Sequence, residues 1–183
     1  MLERAGLITT SGGERARVAR PTAAGMVAGL DASVRHWLGD PDGIRSLQGA
    51  RELLEAALAR QAAEEADEDG IARLRQALAE NEAARGDLAR FERTDVAFHY
   101  VFAQIPRNPI FTALHQAMVG WLTEQRSVTL REPGAEALAA ESHRRIFEAV
   151  AARDPDRAER EMRAHLQEVA RTYWRTKGRE DAA

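Results

Sequence analysis

Apolar residues recur at helical spacing over most of the chain. From Thr22 onward they fall every three or four positions, which places them along one face of an α-helix. Gly, Pro and Asp interrupt the pattern at intervals, and short connections between long amphipathic helices favour antiparallel neighbours. The pattern therefore predicts an all-α, antiparallel bundle of about six to seven helices. The seven predicted helices span residues 23–38, 43–66, 69–85, 87–105, 109–129, 135–152 and 156–176.

Five of these helices begin at a residue that can cap them. A capping side chain accepts a hydrogen bond from a free backbone N–H, and a proline at the first helical position loses no hydrogen bond there. The predicted caps are Asp40, Asp67, Asp87, Asn108 and Asp154, and the first, fourth and last of them precede a proline.

The first 20 residues follow a different pattern. Residues 7–10 and 15–18 are short strand-like runs on either side of a turn signal at 11–14, and residues 1–5 resemble the tail of a helix that ends at Gly6. An isolated hairpin is marginally stable in water, which favours a piece of a larger domain; a hairpin packed on the bundle is the alternative. The predicted segments are the N-terminal piece 1–20, a linker with the first helix 21–42, and the helical domain 43–177.

A charged residue interrupts the apolar face of the predicted helix 87–105. Phe91 and Phe98 lie on that face, and the position between them, Asp95, carries a carboxylate. Burial of an ionised carboxylate costs several kcal/mol unless a positive group pairs with it. His99 follows one helical turn later on the same face, so the two side chains can reach a common ligand.

Two histidines repeat this feature in the last two predicted helices. His143 and His165 each lie on an apolar stripe, and each is 11 positions from Asp154, where the connection between the helices lies. In an antiparallel helix pair, residues at equal distances from the connection lie side by side. The two imidazoles are therefore expected to face each other, and packing of the Asp95 helix on this pair would bring one Asp and three His together.

Each of these residues has a simpler explanation when it is taken alone. A histidine on an apolar stripe is usually a hydrogen-bonded core residue, and a buried Asp can be paired with an Arg. Four such residues on three helices favour a metal site instead. The donors suit a divalent transition metal, with zinc first and nickel, manganese and iron as alternatives. His115 is the spare candidate in the predicted core for the general acid or base that metal-assisted hydrolysis would need, whereas His36 is expected at the surface or in a packing role.

The composition narrows the class of protein further. The 183 residues include no Cys, which excludes disulfides, thiolate catalysis and Cys-based zinc sites. The formal net charge is −3 with both signs interspersed, so the whole chain is not an electrostatic nucleic-acid binder. No apolar run reaches the roughly 18 residues of a membrane helix and no signal-peptide pattern opens the chain, so we expect a cytoplasmic protein without a membrane partner.

Several motifs resemble the C-terminal effector-binding (FCD) domain of FadR-type regulators in the GntR family. Motif, order and spacing agree over roughly residues 44–175. The resemblance implies a metal-binding sensor of organic acids, in a homodimeric transcription regulator, and within the family it is nearest to the branch that responds to sialic acid. The motifs are Arg51-x-x-x-Glu55, Thr94 to His99, Asn108 to Phe111, His143-x-x-Ile146 and Met162-x-x-His165.

The N-terminal piece resembles the end of a winged helix, with the close of the recognition helix followed by the wing. Its arginines would then contact DNA phosphates in the parent protein. The helices that precede a wing are absent from this chain, so operator binding is expected only through a full winged helix. The implied phosphate contacts are Arg4, Arg15, Arg17 and Arg20.

The sequence thus predicts a sensor, not an enzyme, in which a small organic acid places its carboxylate on the metal. Arg51 is the expected carboxylate clamp because a guanidinium binds carboxylates with two parallel hydrogen bonds. Asn108, Arg126 and Arg145 are further effector-binding candidates, with surface salt bridges as the alternative for the last two. The competing functions are a metal-dependent hydrolase or oxygenase, and an interaction bundle in which a metal is only a structural staple.

Overall fold

The structure is a computed structural model that describes residues 20–180 and the strand residues 8–9 and 17–18. Nine helices and two short strands lie within these residues, which confirms an all-helical bundle after a short N-terminal segment. The elements are β1 (Ile8–Thr9), β2 (Arg17–Val18), α1 (Ala23–Ala28), α2 (Asp31–Trp37), α3 (Pro41–Glu65), α4 (Glu68–Glu82), α5 (Leu88–Gln104), α6 (Pro109–Trp121), α7 (Thr123–Leu130), α8 (Ala135–Ala151) and α9 (Pro155–Glu180).

The two strands form one antiparallel pair. Ile8 lies opposite Val18, and Thr9 lies opposite Arg17. The predicted turn 11–14, the predicted helix end 1–6, and the candidate phosphate contacts Arg4 and Arg15 lie outside the described residues. A single pair of two-residue strands does not identify a winged helix, so that assignment stays a prediction. Arg20, which follows β2, is exposed.

The predicted helix 23–38 is wrong as a single element. It is divided into α1 and α2 by a tight turn, in which the Leu30 N–H donates to the Val27 carbonyl oxygen over 3.0 Å. Gly25 and Gly29 lie close to this turn, and glycine weakens a helix by about 1 kcal/mol relative to alanine. The apolar spacing continues across the turn, which is why it did not reveal the division.

The predicted helix 109–129 is also divided, at Leu122. This residue has φ −101° and ψ 22°, outside the helical range, and it separates α6 from α7. The Thr123 hydroxyl lies 3.0 Å from the carbonyl oxygens of Val119 and Gly120. A side-chain hydroxyl that donates to carbonyls three and four residues earlier competes with the backbone ladder and bends helices. These two divisions account for nine helices instead of seven.

The five predicted N-caps are confirmed. Each side chain accepts a hydrogen bond of 2.8 to 3.0 Å from a backbone N–H two or three residues later. Such caps satisfy amides that have no partner within the helix, so they fix where a helix begins. The capping residues are Asp40, Asp67, Asp87, Asn108 and Asp154.

The core lies where α3, α5, α8 and α9 meet. The long helices α3 and α9 pack along each other, α8 packs on α9, and α4 packs on α5 and α8. Phe98, Phe102, Ile146 and Met162 are fully buried at the centre of this cluster. Alanines of α3 line the same core, and their short side chains let neighbouring helices approach closely. None of the described helices combines the length and the apolar character needed to cross a membrane.

Candidate metal centre

Three histidines from three helices meet in the core. His99 of α5, His143 of α8 and His165 of α9 each offer a ring nitrogen, and these nitrogens all lie within 4.8 Å of one another. All three side chains are buried. The Nε2 atoms of His99 and His165 are only 3.3 Å apart. Imidazole nitrogens clustered at this spacing could hold a metal ion.

The predicted facing of His143 and His165 is confirmed. Their ring centroids are 4.8 Å apart, with the planes at 72°. Arg145 of α8 bonds Glu161 of α9, and the next contact towards the loop joins Glu148 to Arg157. The contacts therefore run in opposite directions along the two helices, as an antiparallel pair requires. The equal spacing from Asp154 was sufficient to predict this register.

Asp95 lies next to His143 but outside the group formed by the three histidines, and it has no close ion pair among the described residues. One carboxylate oxygen is 3.6 Å from His143 Nε2, and the other is 4.0 Å from Arg126 Nε. Arg126 is therefore near the carboxylate but beyond hydrogen-bond distance. Because Asp95 is buried, its charge needs a closer positive partner than the described residues supply.

Two residues that the sequence analysis did not assign to the site determine which ring nitrogens are protonated. Glu55 Oε2 lies 2.6 Å from His99 Nδ1, and an ionised carboxylate only accepts, so Nδ1 carries the proton. Asn81 Oδ1 lies 2.9 Å from His143 Nδ1, and the Asn81 amide nitrogen donates to the Thr94 hydroxyl, which leaves its oxygen to accept. A proton on Nδ1 leaves the Nε2 lone pair free in the neutral form of either ring.

The lone pair on His143 Nε2 supplies the test of whether a metal fits here. This nitrogen is buried and has no hydrogen-bond partner in the described part of the chain. Burial, and then the neighbouring His165, lower the pKa of His143 well below its usual value, so the ring is neutral at pH 7. An unprotonated nitrogen that faces the Asp95 carboxylate is unfavourable unless a cation lies between them. The donor set fits a divalent transition metal.

A cavity of about 150 Å³ opens beside the histidines. His99, His165 and Asp95 form part of its wall, and side chains from α3, α7, α8 and α9 complete it. Two arginines line it near Asp95, and apolar residues together with Glu132 line it at the α7–α8 connection. The cationic residues near Asp95 are Arg51 and Arg126, and the apolar ones at the connection include Leu130, Pro133 and Leu138.

The structure brings only two of the four candidate effector residues to this cavity. Arg51 and Arg126 line it, whereas Asn108 and Arg145 do not. Asn108 is exposed and caps α6, where its side chain accepts from the Ile110 N–H. Arg145 of α8 donates to Glu161 of α9 over 3.0 Å. Both side chains therefore make structural contacts away from this cavity, and their assignment to effector binding stays a prediction.

Arg51 and the buried Glu55 form an ion pair one helical turn apart on α3. The Arg51 Nε donates to Glu55 Oε1 over 2.7 Å, and Glu55 is only 3% exposed. Burial alone would raise the pKa of Glu55, but Arg51 and His99 outweigh it and hold that pKa well below its usual range. The carboxylate is thus ionised at pH 7. The Arg-x-x-x-Glu spacing was the sequence signal for this pair.

The remaining histidines lie apart from the cluster. His115 is buried on α6 with its ring centroid 5.5 Å from that of Tyr100, and it does not line the cavity. Burial lowers the pKa of His115 to about 4, so the ring is neutral at pH 7. His36 is exposed on α2, as expected.

Comparison with known proteins shows which family the chain belongs to. Residues 47–168 match the FCD domain. The chain is 40% identical over 177 residues to the HTH-type transcriptional repressor NanR of Cronobacter sakazakii, a match that covers 94% of this chain and 67% of that repressor. It is 41% identical over 174 residues to NanR of Salmonella newport, with 94% and 67% covered. The chain thus spans about two thirds of the length of these relatives.

Solved structures share the fold. Streptococcus agalactiae GntR superposes with a TM-score of 0.63 at 20% identity, over 93% of this chain and 77% of that one. E. coli McbR/YncC superposes with a TM-score of 0.67 at 12% identity, over 96% and 76%. The relatives are named transcriptional repressors, and a hydrolase or oxygenase finds no support among these proteins. The chain therefore belongs to the FadR-type group of the GntR family of transcription regulators, is NanR-like, and is a regulator, not an enzyme.

Proposed function

We propose that this chain senses a carboxylate-bearing organic acid at a buried divalent metal, and that binding of the acid changes how the regulator engages its operator DNA. One observation carries the proposal: a cluster of three imidazoles and the Asp95 carboxylate lie at a cavity whose wall includes two largely buried arginines, Arg51 and Arg126. The acid would be the signal, and the bundle would convert its binding into a change of helix packing.

The metal would be held by Asp95 and by His99, His143 and His165. Three imidazoles and one carboxylate suit zinc, with nickel, manganese and iron as alternatives. When bound, such an ion supplies a positive charge with open coordination positions that attract an anion. Glu55 and Asn81 orient two of the imidazoles through their Nδ1 atoms, as partners of metal-bound histidines commonly do.

The charges around the cavity favour an anionic ligand. Arg51 and Arg126 lie near the carboxylates of Glu55, Asp95 and Glu92, so a divalent metal would turn the net charge of this group from negative to positive. Arg51 uses its Nε to bond Glu55, and its terminal nitrogens have no hydrogen-bond partner in the described residues. These two groups can bind a carboxylate through parallel hydrogen bonds. The attraction between a carboxylate and these positive charges is much stronger in a partly dry cavity than in water.

A hydroxyl-rich acid suits the rest of the wall better than a simple one. Gln125 is buried in the cavity wall, and its Oε1 has no hydrogen-bond partner among the described side chains and backbone. A ligand hydroxyl or amide N–H would satisfy this oxygen. Ser142, Thr172 and Glu168 also line the cavity. Together with the sequence resemblance to the sialic-acid-responsive branch, this favours sialic acid or a related sugar acid.

A continuous path of contacts connects the cavity with the N-terminal helices. Gln125 and Arg126 of α7 line the cavity, and α7 follows α6 directly at Leu122. At the end of α6, the Trp121 indole N–H donates to Asp31 of α2 over 3.0 Å. Movement of α7 on ligand binding would therefore be felt at α2, which follows the N-terminal segment that resembles a winged helix. In a homodimer this would reorient two DNA-binding domains.

Titration calorimetry of metal-loaded and metal-free protein tests the proposal. The probes are N-acetylneuraminic acid, gluconate, citrate and lactate. We expect micromolar binding of the sugar acid that weakens when the metal is removed. Equal binding to metal-free protein would contradict the role of the metal. Binding of only a small hydroxy acid would change the ligand class and retain the sensor, whereas no binding of any acid would favour a purely structural metal.

A further inference from the structure

One buried carboxylate serves both the metal site and the carboxylate clamp. Glu55 Oε2 accepts from His99 Nδ1 over 2.6 Å, and Glu55 Oε1 accepts from Arg51 Nε over 2.7 Å. Its side chain is 4% exposed, so water competes little with either hydrogen bond. The two oxygens thus join a candidate metal ligand on α5 to a cavity-lining arginine on the same helix as Glu55.

On the His99 side, this contact determines the tautomer. A carboxylate accepts and never donates while it is ionised, so the imidazole proton must lie on Nδ1. In the neutral ring, Nε2, which lies 3.3 Å from His165 Nε2, then presents a lone pair. A metal binds only an unprotonated nitrogen, so the tautomer set by Glu55 is the one that metal binding requires.

On the Arg51 side, the same carboxylate fixes the guanidinium. The hydrogen bond is made through Nε, so the two terminal nitrogens are left for the cavity that Arg51 lines. Arg51 has a side-chain exposure of 14%, and an arginine held at one edge loses less freedom when it binds a ligand. Loss of the Glu55 charge would release the guanidinium as well as the imidazole.

We propose that Glu55 is a positioning residue that couples the metal and the effector's carboxylate, because it fixes the Nδ1-protonated tautomer of His99 and the clamp geometry of Arg51 through one carboxylate. The effector half of this inference rests on the proposed function above. The His99 half depends only on the protein and a metal ion. The two halves can therefore be tested separately.

Glu55→Gln is the informative substitution because it keeps the size and removes the double acceptor. A glutamine offers one oxygen and one NH₂ group where the two donors require two oxygens. If its NH₂ group faces His99, the ring must accept at Nδ1, and the proton moves to Nε2, where it blocks a metal. If its NH₂ group faces Arg51, the guanidinium is displaced from the clamp. Either arrangement breaks the coupling.

The first experiment measures the tautomer and the metal affinity. In ¹⁵N-labelled, metal-free protein, two-bond ¹H–¹⁵N correlations report which nitrogen of His99 is protonated. We expect Nδ1–H in wild type, and a 10- to 100-fold weaker zinc affinity in Glu55→Gln by chelator competition, the usual effect of losing a partner of a metal-bound histidine. Glu52→Gln is the matched control, since Glu52 on the same helix bonds Arg163 and Gln167 and contacts no histidine of the site.

Two results would overturn the inference: an Nε2–H tautomer of His99 in the wild-type protein, or zinc affinities of Glu55→Gln and Glu52→Gln that agree within a factor of two.

The second experiment titrates N-acetylneuraminic acid, a sialic acid, into metal-free wild type and metal-free Glu55→Gln. Without the metal, only the contact of Glu55 with Arg51 can affect the affinity for the acid. We expect at least fivefold weaker binding in the variant, and equal binding would refute the coupling. If wild type binds zinc but not this acid, the proposed effector is wrong. The zinc affinities of Glu55→Gln and Glu52→Gln still test the role of Glu55 in that case.

Discussion

The Nε2 atoms of His99 and His165 lie 3.3 Å apart in the core of the bundle. Because His99 is protonated on Nδ1, a single proton on His165 can bridge the two nitrogens in the metal-free protein. A bound metal would be held by these two nitrogens in place of the proton bridge, and by His143 Nε2, which has no partner in the described residues. The metal-free and metal-bound cores should therefore differ in stability.

Replacement of His165 by Ala should abolish tight metal binding. One of three clustered imidazoles is lost, and the metal no longer stabilises the native state by mass action, a contribution of about 2.7 kcal/mol at 100 times the dissociation constant. Elemental analysis should find about one metal per chain in wild type and far less in the variant. Addition of a chelator should lower the melting temperature of wild type only.

His36→Ala is the control for this comparison, because His36 is exposed on α2. It should retain the metal and the response to chelator. Equal metal contents in wild type and His165→Ala would exclude the site proposed here.

Replacement of Arg51 by Ala should weaken effector binding by roughly 1.5–3 kcal/mol, the scale of a hydrogen bond to a charged group. The guanidinium lines the cavity and has free terminal N–H groups. Calorimetry with N-acetylneuraminic acid measures the loss. Arg60→Ala is the matched control, since Arg60 on the same helix pairs with Asp156 at the surface. Similar affinities for the two variants would remove Arg51 from the binding site.

Replacement of Gln125 by Leu should separate ligand affinity from stability. A neutral hydrogen bond contributes about 1 kcal/mol, so affinity for a sugar acid should fall about fivefold. The metal-free protein should be at least as stable as wild type in urea, because a buried oxygen without a partner is removed. Gln76→Leu, which alters an exposed glutamine of α4 bonded to Glu80, should leave the affinity unchanged. Unchanged affinity in Gln125→Leu would contradict a contact with the ligand.

Acid should destabilise the metal-free protein below pH 6.5. Burial lowers the pKa of His115 from 6.5 to about 4 in the folded state. Between these values the unfolded chain binds a proton that the native state excludes, so stability is present above pH 6.5 and is lost as the pH falls, by about 1.4 kcal/mol per pH unit. Burial lowers the pKa values of His143 and His165 in the same direction.

Urea unfolding of chelator-treated protein at pH 7.5 and pH 5.5 measures this effect. His115→Gln should lose less stability over the same interval, because one of the buried neutral histidines is gone. An equal loss in wild type and His115→Gln would show that His115 makes no such contribution.

Local rules were sufficient for much of the fold. A capping side chain acts on amides two or three residues away, so the caps Asp40, Asn108 and Asp154 could be located from the sequence. The facing of His143 and His165 required only an antiparallel pair and equal distances from the connection. The family resemblance was likewise contained in short motifs, and the FCD domain confirms it.

Only the tertiary structure decided which partners complete the site. Glu55 is 44 positions from His99, and Asn81 is 62 positions from His143, so no local pattern joins them. Asn81 lies on the buried, apolar face of α4, and a polar residue on such a face was also the signal that identified Asp95. The sequence does not show, however, which helix packs against that face.

The tertiary structure also decided which candidate arginines reach the cavity. Arg126 and Arg145 look alike in the sequence, yet the break at Leu122 directs α7 so that Arg126 lines the cavity, while the α8–α9 pairing leaves Arg145 with Glu161. The sequence by itself determined helices, caps and the residues that are costly to bury, because these depend on neighbours along the chain. The packing of distant helices decided which of those residues meet, because that depends on how the whole core fills its volume.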